Sequence, residues 1–259
     1  MTKLSLPPQL IAASGLPMGV LAGQTTRQAI NPAWQSATPF DGFNLALHVG
    51  DDAYIVQQQR IELLKALQPH GAQRLVWLEQ THSTCVHEVT EHSQPFLPIH
   101  ADAIITRQTG VACMIMTADC LPIVLSNADG SEVGCIHAGW RGLLNGIIEN
   151  TVSAMQSPAV FAWLGAAIGA TRFEVGAEVY NAFTQHNPAA ASAFLAQGAG
   201  QYLADIYQLA GQRLQRLGVQ HISGATQCSY QQTDLFYSYR HTPKTGRMGT
   251  FVMIQSINE

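Results

Sequence analysis

Short apolar runs separated by turn-forming residues recur along the chain and predict a fold rich in β-strands. Runs of Val, Ile, Leu and Met bounded by Gly, Pro, Asn or Asp are typical of strands. We expect strands within segments 17–27, 75–82, 86–89, 101–108, 111–117, 121–127, 132–137, 160–169, 221–229 and 246–255. Turn-forming residues at 127–130 separate two of these runs, which predicts an antiparallel hairpin.

Apolar residues at helical spacing predict helices between these strands. Asp51 and Asp52 precede residues 53–67, and Pro69 follows, so we expect a capped helix there. Further helices are expected near 143–155 and 175–186 and over most of the Ala- and Leu-rich segment 188–217. The predicted fold class is therefore α+β: a single domain, residues 1–259, of mixed β-sheets flanked by helices.

Composition narrows the class of protein. Charged residues make up only 12% of the 259 residues and hydrophobic residues 47%, against about 25% charged in average proteins, which favours a compact enzyme or an oligomer. The net charge is −4 without a Lys/Arg cluster, so no nucleic-acid partner is expected. The longest apolar run, VACMIM, falls far short of the ~20 residues of a membrane span. Five cysteines without C-x-x-C spacing, and an N-terminus broken by prolines, favour a cytoplasmic protein with no membrane partner.

A thiol and an imidazole are expected to meet at one end of the predicted hairpin. Cys120 precedes its first strand and His137 ends its second. Such a pair either ligates zinc or forms a nucleophile and its base. His82, at the end of another apolar run, would complete three zinc ligands with an open fourth position. Asp102 and Asp119 are candidates to orient the ligands, and Asp119 joins Cys120 and His137 as a candidate catalytic residue.

Basic and amide residues supply candidates for substrate binding. Arg141 lies at the start of a predicted helix, where backbone N–H groups and a cation suit an anion. Near the C-terminus, segment 236–249 carries Arg240 and Arg247 with two aromatic residues that look exposed, Tyr237 and Tyr239. That loop would suit a flat ligand that binds together with an anion. The predicted substrate-binding residues are Arg141, Arg240, Arg247, Gln80 and Asn44.

Several motifs together resemble one known family. They are NLALHVGDD (44–52), LEQTHS (78–83), ADAIIT (101–106), TADCLPIVL (117–125), CIHAGWRG (135–142), FEVGAEV (173–179), FYSYRH (236–241) and TGRMG (245–249). In this order they strongly resemble the YfiH or laccase-domain family, whose members are described as purine nucleoside phosphorylases. The resemblance spans the chain from about Thr25 to its end, and the pair TADC…HAGWRG is its most specific part.

The resemblance implies a fold, a metal and a reaction. It implies zinc on His82, Cys120 and His137, with copper less favoured, and a fold similar to the cytotoxic necrotizing factor catalytic domain. It also implies phosphorolysis of adenosine, inosine and S-methyl-5'-thioadenosine, with adenosine deaminase activity, so purine nucleosides and phosphate are the expected partners. Alternatives are a cysteine hydrolase or amidase using Cys120 and His137, including editing of peptidoglycan precursors, and a copper-dependent polyphenol oxidase.

Two sequence features bear on these alternatives. A multicopper centre needs many imidazoles, and the chain's ten histidines form no H-x-H pair, which disfavours the oxidase. Where many members of the family read G-P-A-I-G-P-C-C-Y-E-V, this chain reads GAAIGATRFEV, with Thr171 and Arg172 in place of the two cysteines. That departure affects the shape of a loop and leaves the three metal positions intact.

Overall fold

A computed structural model describes residues 5–91, 93 and 98–255 of the chain. Its first sheet has five strands, numbered here by position in the chain. Their spatial order is β1 (Leu10–Ala12), β2 (Val20–Thr25), β14 (Met248–Ile254), β6 (Val111–Thr117) and β3 (Arg74–Val76). Only β3 and β6 pair in parallel within this sheet, so it is mixed, as the predicted fold class requires.

A second sheet of six strands carries the predicted hairpin. Its order is β13 (His221–Gly224), β9 (Phe161–Leu164), β7 (Leu121–Ser126), β8 (Val133–Ala138), β5 (Ala103–Thr106) and β4 (Val86–Val89). β7 and β8 pair antiparallel, which confirms the hairpin. A third, antiparallel sheet consists of β10 (Glu174–Gly176), β12 (Gln201–Ala204) and β11 (Phe194–Gly198).

Helices cover the outer faces of the two larger sheets. They are α1 (Ala53–Leu67), α2 (Trp140–Asn145), α3 (Ile147–Ala154), α4 (Ala177–His186) and α5 (Ile206–Arg216), with 3-10 turns at Pro32–Trp34, Gln68–His70 and Pro188–Ala193. The Asp52 carboxylate accepts hydrogen bonds from the backbone N–H groups of Tyr54 and Ile55, which confirms the predicted cap of α1. None of the helices in the described ranges has the length and apolar character that a membrane crossing requires.

Successive side chains along a strand point to opposite faces of the sheet, and this alternation divides the interior into layers. In β6, Val111, Cys113 and Ile115 pack into a core between the two larger sheets, whereas Ala112 and Met114 pack against the α1 side. The opposite face of the second sheet packs against α2 to α5. The order of layers is therefore helix, sheet, sheet, helix, because each sheet is apolar on both faces.

Two predicted helices differ from the structure. Segment 188–217 was expected to be mostly helical, but it contains the β11–β12 hairpin, since Gly198, Ala199 and Gly200 all adopt positive φ and reverse the chain. The helix predicted near 143–155 starts earlier, at Trp140, and is divided at Gly146, whose φ of 98° ends one helix and begins the next. The likeness to the cytotoxic necrotizing factor fold stays a prediction.

Candidate metal centre

Two loops and the end of one strand bring His82, Cys120 and His137 together. Cys120 lies in the link from β6 to β7, and His137 lies in β8, opposite Pro122 of β7. His82 follows β3 in a left-handed conformation with φ of 60°. One ligand atom from each residue lies within 4.8 Å of the other two. The sequence-based grouping of these three residues thus matches a cluster in space.

The Asp102 carboxylate holds the two histidines in place. Its Oδ1 lies 2.7 Å from His137 Nδ1 and accepts from the His82 backbone N–H at 3.0 Å. Its Oδ2 accepts from the backbone N–H groups of Thr81 and Ser83 and from the Ser83 hydroxyl. An imidazole that donates from Nδ1 to a carboxylate keeps Nε2 free to bind a metal ion. Asp102 therefore holds the His137 ring and the His82 backbone in place, and its role toward a bound metal stays a prediction.

The electrostatics of the cluster favour a thiolate. Burial by itself would raise the pKa of the Cys120 thiol, but His137 and His82 lower it to about 6. Burial would likewise lower the pKa of His137, but the charge of Cys120 and the hydrogen bond to Asp102 raise it to about 9. The thiolate is the form of cysteine that binds metals and attacks electrophiles. The pair is thus prepared for either chemistry.

The spacing of the donors suits a tetrahedral ion. Zinc bonds of about 2.05 Å to nitrogen and about 2.3 Å to sulfur place the two donors about 3.6 Å apart at a tetrahedral angle. Cys120 Sγ lies 3.6 Å from His82 Nε2. Gly139 leaves the necessary room, because a Cβ there would lie 2.7 Å from His82 Cδ2 and 3.1 Å from Cys120 Sγ. The residues present fit zinc by donor type and by spacing.

The cluster lies on the wall of a cavity of about 420 Å³. The predicted residues Gln80, Asp119, Arg141, Arg240 and Arg247 all line this cavity with the three metal-site residues. Its other lining residues are His48, Met116, Thr117, Ala118, Trp140, Ile168, Phe173, Ile206 and Tyr239. Sequence reasoning did not assign most of these, because they come from separate elements and become neighbours only in the folded chain.

The three arginines are positioned differently around the cavity. Arg141 is the second residue of α2, and its guanidinium lies 4.3 Å from the Trp140 ring. Arg240 Nη1 donates to the Glu174 carbonyl at 3.0 Å. Arg247 Nη1 donates to the carbonyls of residues 245 and 246, and burial lowers its pKa. No described carboxylate forms an ion pair with any of the three, so they remain available to an anionic ligand.

Two of the predicted site residues, Asp119 and Gln80, join segments of the cavity wall through hydrogen bonds. Asp119 was expected to orient the ligands, but its carboxylate accepts from the Ser229 hydroxyl at 2.6 Å and the Arg240 backbone N–H at 2.7 Å. It therefore fixes the C-terminal loop to the link that carries Cys120. The Gln80 side chain bonds both the N–H and the C=O of Met116, which joins the segment before His82 to the end of β6.

Asn44 and Tyr237 lie outside the cavity. Asn44 is fully buried and bonds Ala46, the Asp51 carboxylate and the Arg247 backbone N–H, so its amide is occupied by the protein itself. The structure does not place it among the residues that line the cavity. Tyr237 looked exposed but is buried, with its hydroxyl within 3.0 Å of the carbonyls of Phe40 and Asp41. Tyr239, in contrast, is 55% exposed.

The chain is similar to known proteins in sequence and in fold. A family model described as multi-copper polyphenol oxidoreductase laccase matches residues 22–255. The chain is 43% identical over 241 residues to the purine nucleoside phosphorylase YfiH of Shigella flexneri, covering 92% of this chain and 96% of that protein. It is 42% identical to the protein of the same name from Escherichia coli K12, covering 98% and 100%. Crystal structures similar to this fold include a Neisseria meningitidis protein, with a TM-score of 0.88, 37% identity and coverage of 96% and 100%. YlmD from Geobacillus stearothermophilus superposes with a TM-score of 0.87 at 29% identity, covering 97% and 98%.

Proposed function

The chain belongs to the family described as multi-copper polyphenol oxidoreductase laccase, and we propose that it is a zinc-dependent purine nucleoside phosphorylase. One observation carries the proposal: His82, Cys120 and His137 converge on the wall of a cavity that three arginines also line, and none of the three pairs with a carboxylate among the described residues. Its relatives from Shigella and Escherichia are named purine nucleoside phosphorylase, which supports the reaction class.

In the proposed reaction, a phosphate oxygen attacks the anomeric carbon of the nucleoside. The carbon–nitrogen bond to the base breaks, its electron pair goes to the purine, and the base leaves after gaining a proton. Arg141, Arg240 and Arg247 hold the phosphate, because a guanidinium binds phosphate oxygens through paired N–H groups. His82, Cys120 and His137 would hold the zinc, which would supply a Lewis acid at the wall of the cavity.

We propose adenosine, inosine and S-methyl-5'-thioadenosine as substrates, with deamination of adenosine as a second activity. Deamination replaces the amino group at purine C6 by the oxygen of water and releases ammonia. The same cavity would serve both reactions, since Asp119 and the three site residues lie beside one another on its wall. Cys120, His137 and Asp119 are the proposed catalytic residues. We place the protein in the cytoplasm, since all five cysteines are free thiols.

The number of candidate sites favours a single zinc ion over the several copper ions of a multicopper oxidase. Within residues 5–91, 93 and 98–255, one trio of His, Cys, Asp or Glu side chains is close enough to share an ion. A multicopper oxidase needs several such groups. Met116, a residue type that serves as the weak axial ligand in blue-copper sites, also lines the cavity. Its sulfur, however, lies 3.8 Å from Arg60 Nη2.

A second candidate function uses the same pair of side chains without a metal. The lowered pKa of Cys120, about 6, and the adjacent imidazole of His137 are also typical of a cysteine hydrolase or amidase. Editing of peptidoglycan precursors belongs to this class. Under this alternative, Cys120 attacks an acyl carbon and His137 transfers the proton to the leaving group.

One experiment separates the two functions. The pure protein is incubated with adenosine and phosphate, with and without a zinc chelator, and adenine, ribose 1-phosphate and inosine are measured. We expect product release that the chelator abolishes and that zinc restores. Cys120→Ala should lose both the activity and the zinc, whereas Cys85→Ser, at an exposed cysteine outside the cavity, should keep both. Adenosine left unchanged with and without zinc, together with hydrolysis of an amide substrate by the metal-free protein that alkylation of Cys120 abolishes, would support the hydrolase instead.

A further inference from the structure

Tyr239 is an exposed aromatic side chain on the wall of the metal-site cavity. Exposed large hydrophobic side chains are few in the part of the chain that the structure describes. Among them only Tyr239 lines this cavity. Leaving an aromatic ring in water forgoes the favourable burial that most aromatic side chains achieve. The position of this ring therefore points to a ligand that covers it.

The backbone around Tyr239 is held on both sides. The buried Tyr237 hydroxyl bonds the carbonyls of Phe40 and Asp41. On the other side, the Arg240 backbone N–H donates to the Asp119 carboxylate at 2.7 Å. Asp119 directly precedes the metal-site residue Cys120. Tyr239 is thus presented to the cavity by a fixed segment rather than by a free loop, and a preformed surface costs less entropy on binding.

The other large rings of the cavity are already covered. The Arg141 guanidinium lies 4.3 Å from the centre of the Trp140 ring. Phe173 is only 7% exposed, with the Arg240 guanidinium 5.7 Å from its centre. For Tyr239, none of the described residues supplies an aromatic partner, and its one cation contact is Arg247 at 5.9 Å. It offers the most accessible ring surface of the three.

We propose that the Tyr239 ring is the stacking surface for the purine base, an inference that rests on the proposed function. The arginines suit phosphate, so the flat base requires an apolar wall beside them. Stacking depends on the π-face that every purine has, and it tolerates changes in the exocyclic groups. A base site of this kind accepts both adenine and hypoxanthine, which a site built on hydrogen bonds to the amino group or oxygen attached to C6 would distinguish.

The test compares three variants of the zinc-loaded protein. Tyr239→Ala removes the ring, Tyr239→Phe keeps the ring and removes the hydroxyl, and Tyr54→Ala is the matched control. Tyr54 is 62% exposed but packs on Trp34 and lies outside the cavity. Binding of inosine is measured by calorimetry without phosphate, and KM and kcat are measured for inosine and for phosphate.

Tyr239→Ala should raise the Kd and KM for inosine by about 5- to 150-fold, the range expected for loss of one base–aromatic stack. The KM for phosphate should stay within about twofold, and Tyr239→Phe and Tyr54→Ala should behave like the wild type. An unchanged Kd for inosine in Tyr239→Ala, or an equal loss in Tyr239→Phe, would overturn the stacking role while leaving the phosphorylase proposal intact. A wild-type protein that binds inosine but does not cleave it would instead refute the phosphorylase.

Discussion

Asp102→Asn tests how far one carboxylate supports the metal centre. The side chain is fully buried and accepts five hydrogen bonds. The two to Oδ1 come from His82 N–H and His137 Nδ1, and the three to Oδ2 come from Thr81 and Ser83. Asparagine is nearly the same size but carries an NH2 group in place of one oxygen. In either orientation that NH2 group faces at least two donors.

The expected magnitude follows from those contacts. Hydrogen bonds to a charged group contribute about 1.5–3 kcal/mol each, so two lost bonds lower the free energy of unfolding of the metal-free protein by about 3–6 kcal/mol. With no carboxylate at its Nδ1, His137 loses the partner that fixes its ring orientation and the neutral tautomer that presents Nε2 to a metal ion. Zinc affinity should therefore fall by about 10- to 100-fold.

The pH dependence of stability provides a second test of the Asp102 carboxylate. Burial alone would raise the pKa of Asp102, but hydrogen bonds from His137 and Ser83 hold it well below its usual range. A carboxyl group with a lowered folded-state pKa stabilises the protein above its unfolded pKa of about 4, and this contribution is lost as the pH falls further. The difference in stability between wild type and Asp102→Asn should thus be largest above about pH 4 and shrink below it.

Zinc affinity is measured by competition with a chromophoric chelator, and stability by denaturant unfolding of the metal-free protein. Asp52→Asn is the matched control. A single oxygen of Asp52 accepts both capping bonds of α1, and asparagine caps helices about as well as aspartate, so little change is expected. Zinc affinity within twofold of wild type in Asp102→Asn would refute the orienting role of this carboxylate.

Three further predictions concern the packing and charge of the site. Gly139→Ala should weaken zinc binding at least tenfold in the same competition assay, because its Cβ would meet the His82 ring, while metal-free stability changes by less than about 1 kcal/mol. Gly211→Ala, in the middle of α5 with open space around its Cβ position, should raise the free energy of unfolding by about 0.5–1 kcal/mol; a decrease would contradict the packing described here. In the metal-free protein, alkylation of Cys120 followed by peptide mass spectrometry should be lost below about pH 6, because the lowered pKa keeps the thiolate populated above that pH. Zinc should block that alkylation, and an inflection near the ordinary thiol pKa of about 8.5 would contradict the proposed thiolate.

The parts of the fold that depend on neighbouring residues could be predicted from the sequence. The β7–β8 hairpin has its turn residues and both apolar runs in one continuous segment, and the structure pairs them as expected. The cap and length of α1 are equally local and match residue by residue. Both features need information only from residues close in the chain, where hydrogen-bonding and turn preferences act directly.

Contacts between distant segments contributed to two of the incorrect predictions. The Ala- and Leu-rich stretch 194–204 has helical propensity, yet it forms a hairpin in which Tyr202 stacks on Tyr180 of α4 at 4.3 Å. Tertiary packing outweighs a propensity of a few tenths of a kcal/mol per residue. Tyr237 was misassigned for the same reason, since the carbonyls that bind its hydroxyl lie almost two hundred residues earlier in the chain.

The position of the metal centre follows from where the chain changes sheets. β6 belongs to the first sheet and β7 to the second, so the link 118–120 must turn sharply between them. Asp119 makes that turn with φ of 87°, and His82 adopts φ of 60°, conformations that cost non-glycine residues free energy. The hydrogen bonds of Asp119 to Ser229 and Arg240, and those of Asp102 to the backbone of residues 81–83, hold both residues there. The bonds that offset this strain are the bonds that place Cys120 and His82 beside His137, so we infer that the two left-handed residues belong to the site and are not incidental features of its loops.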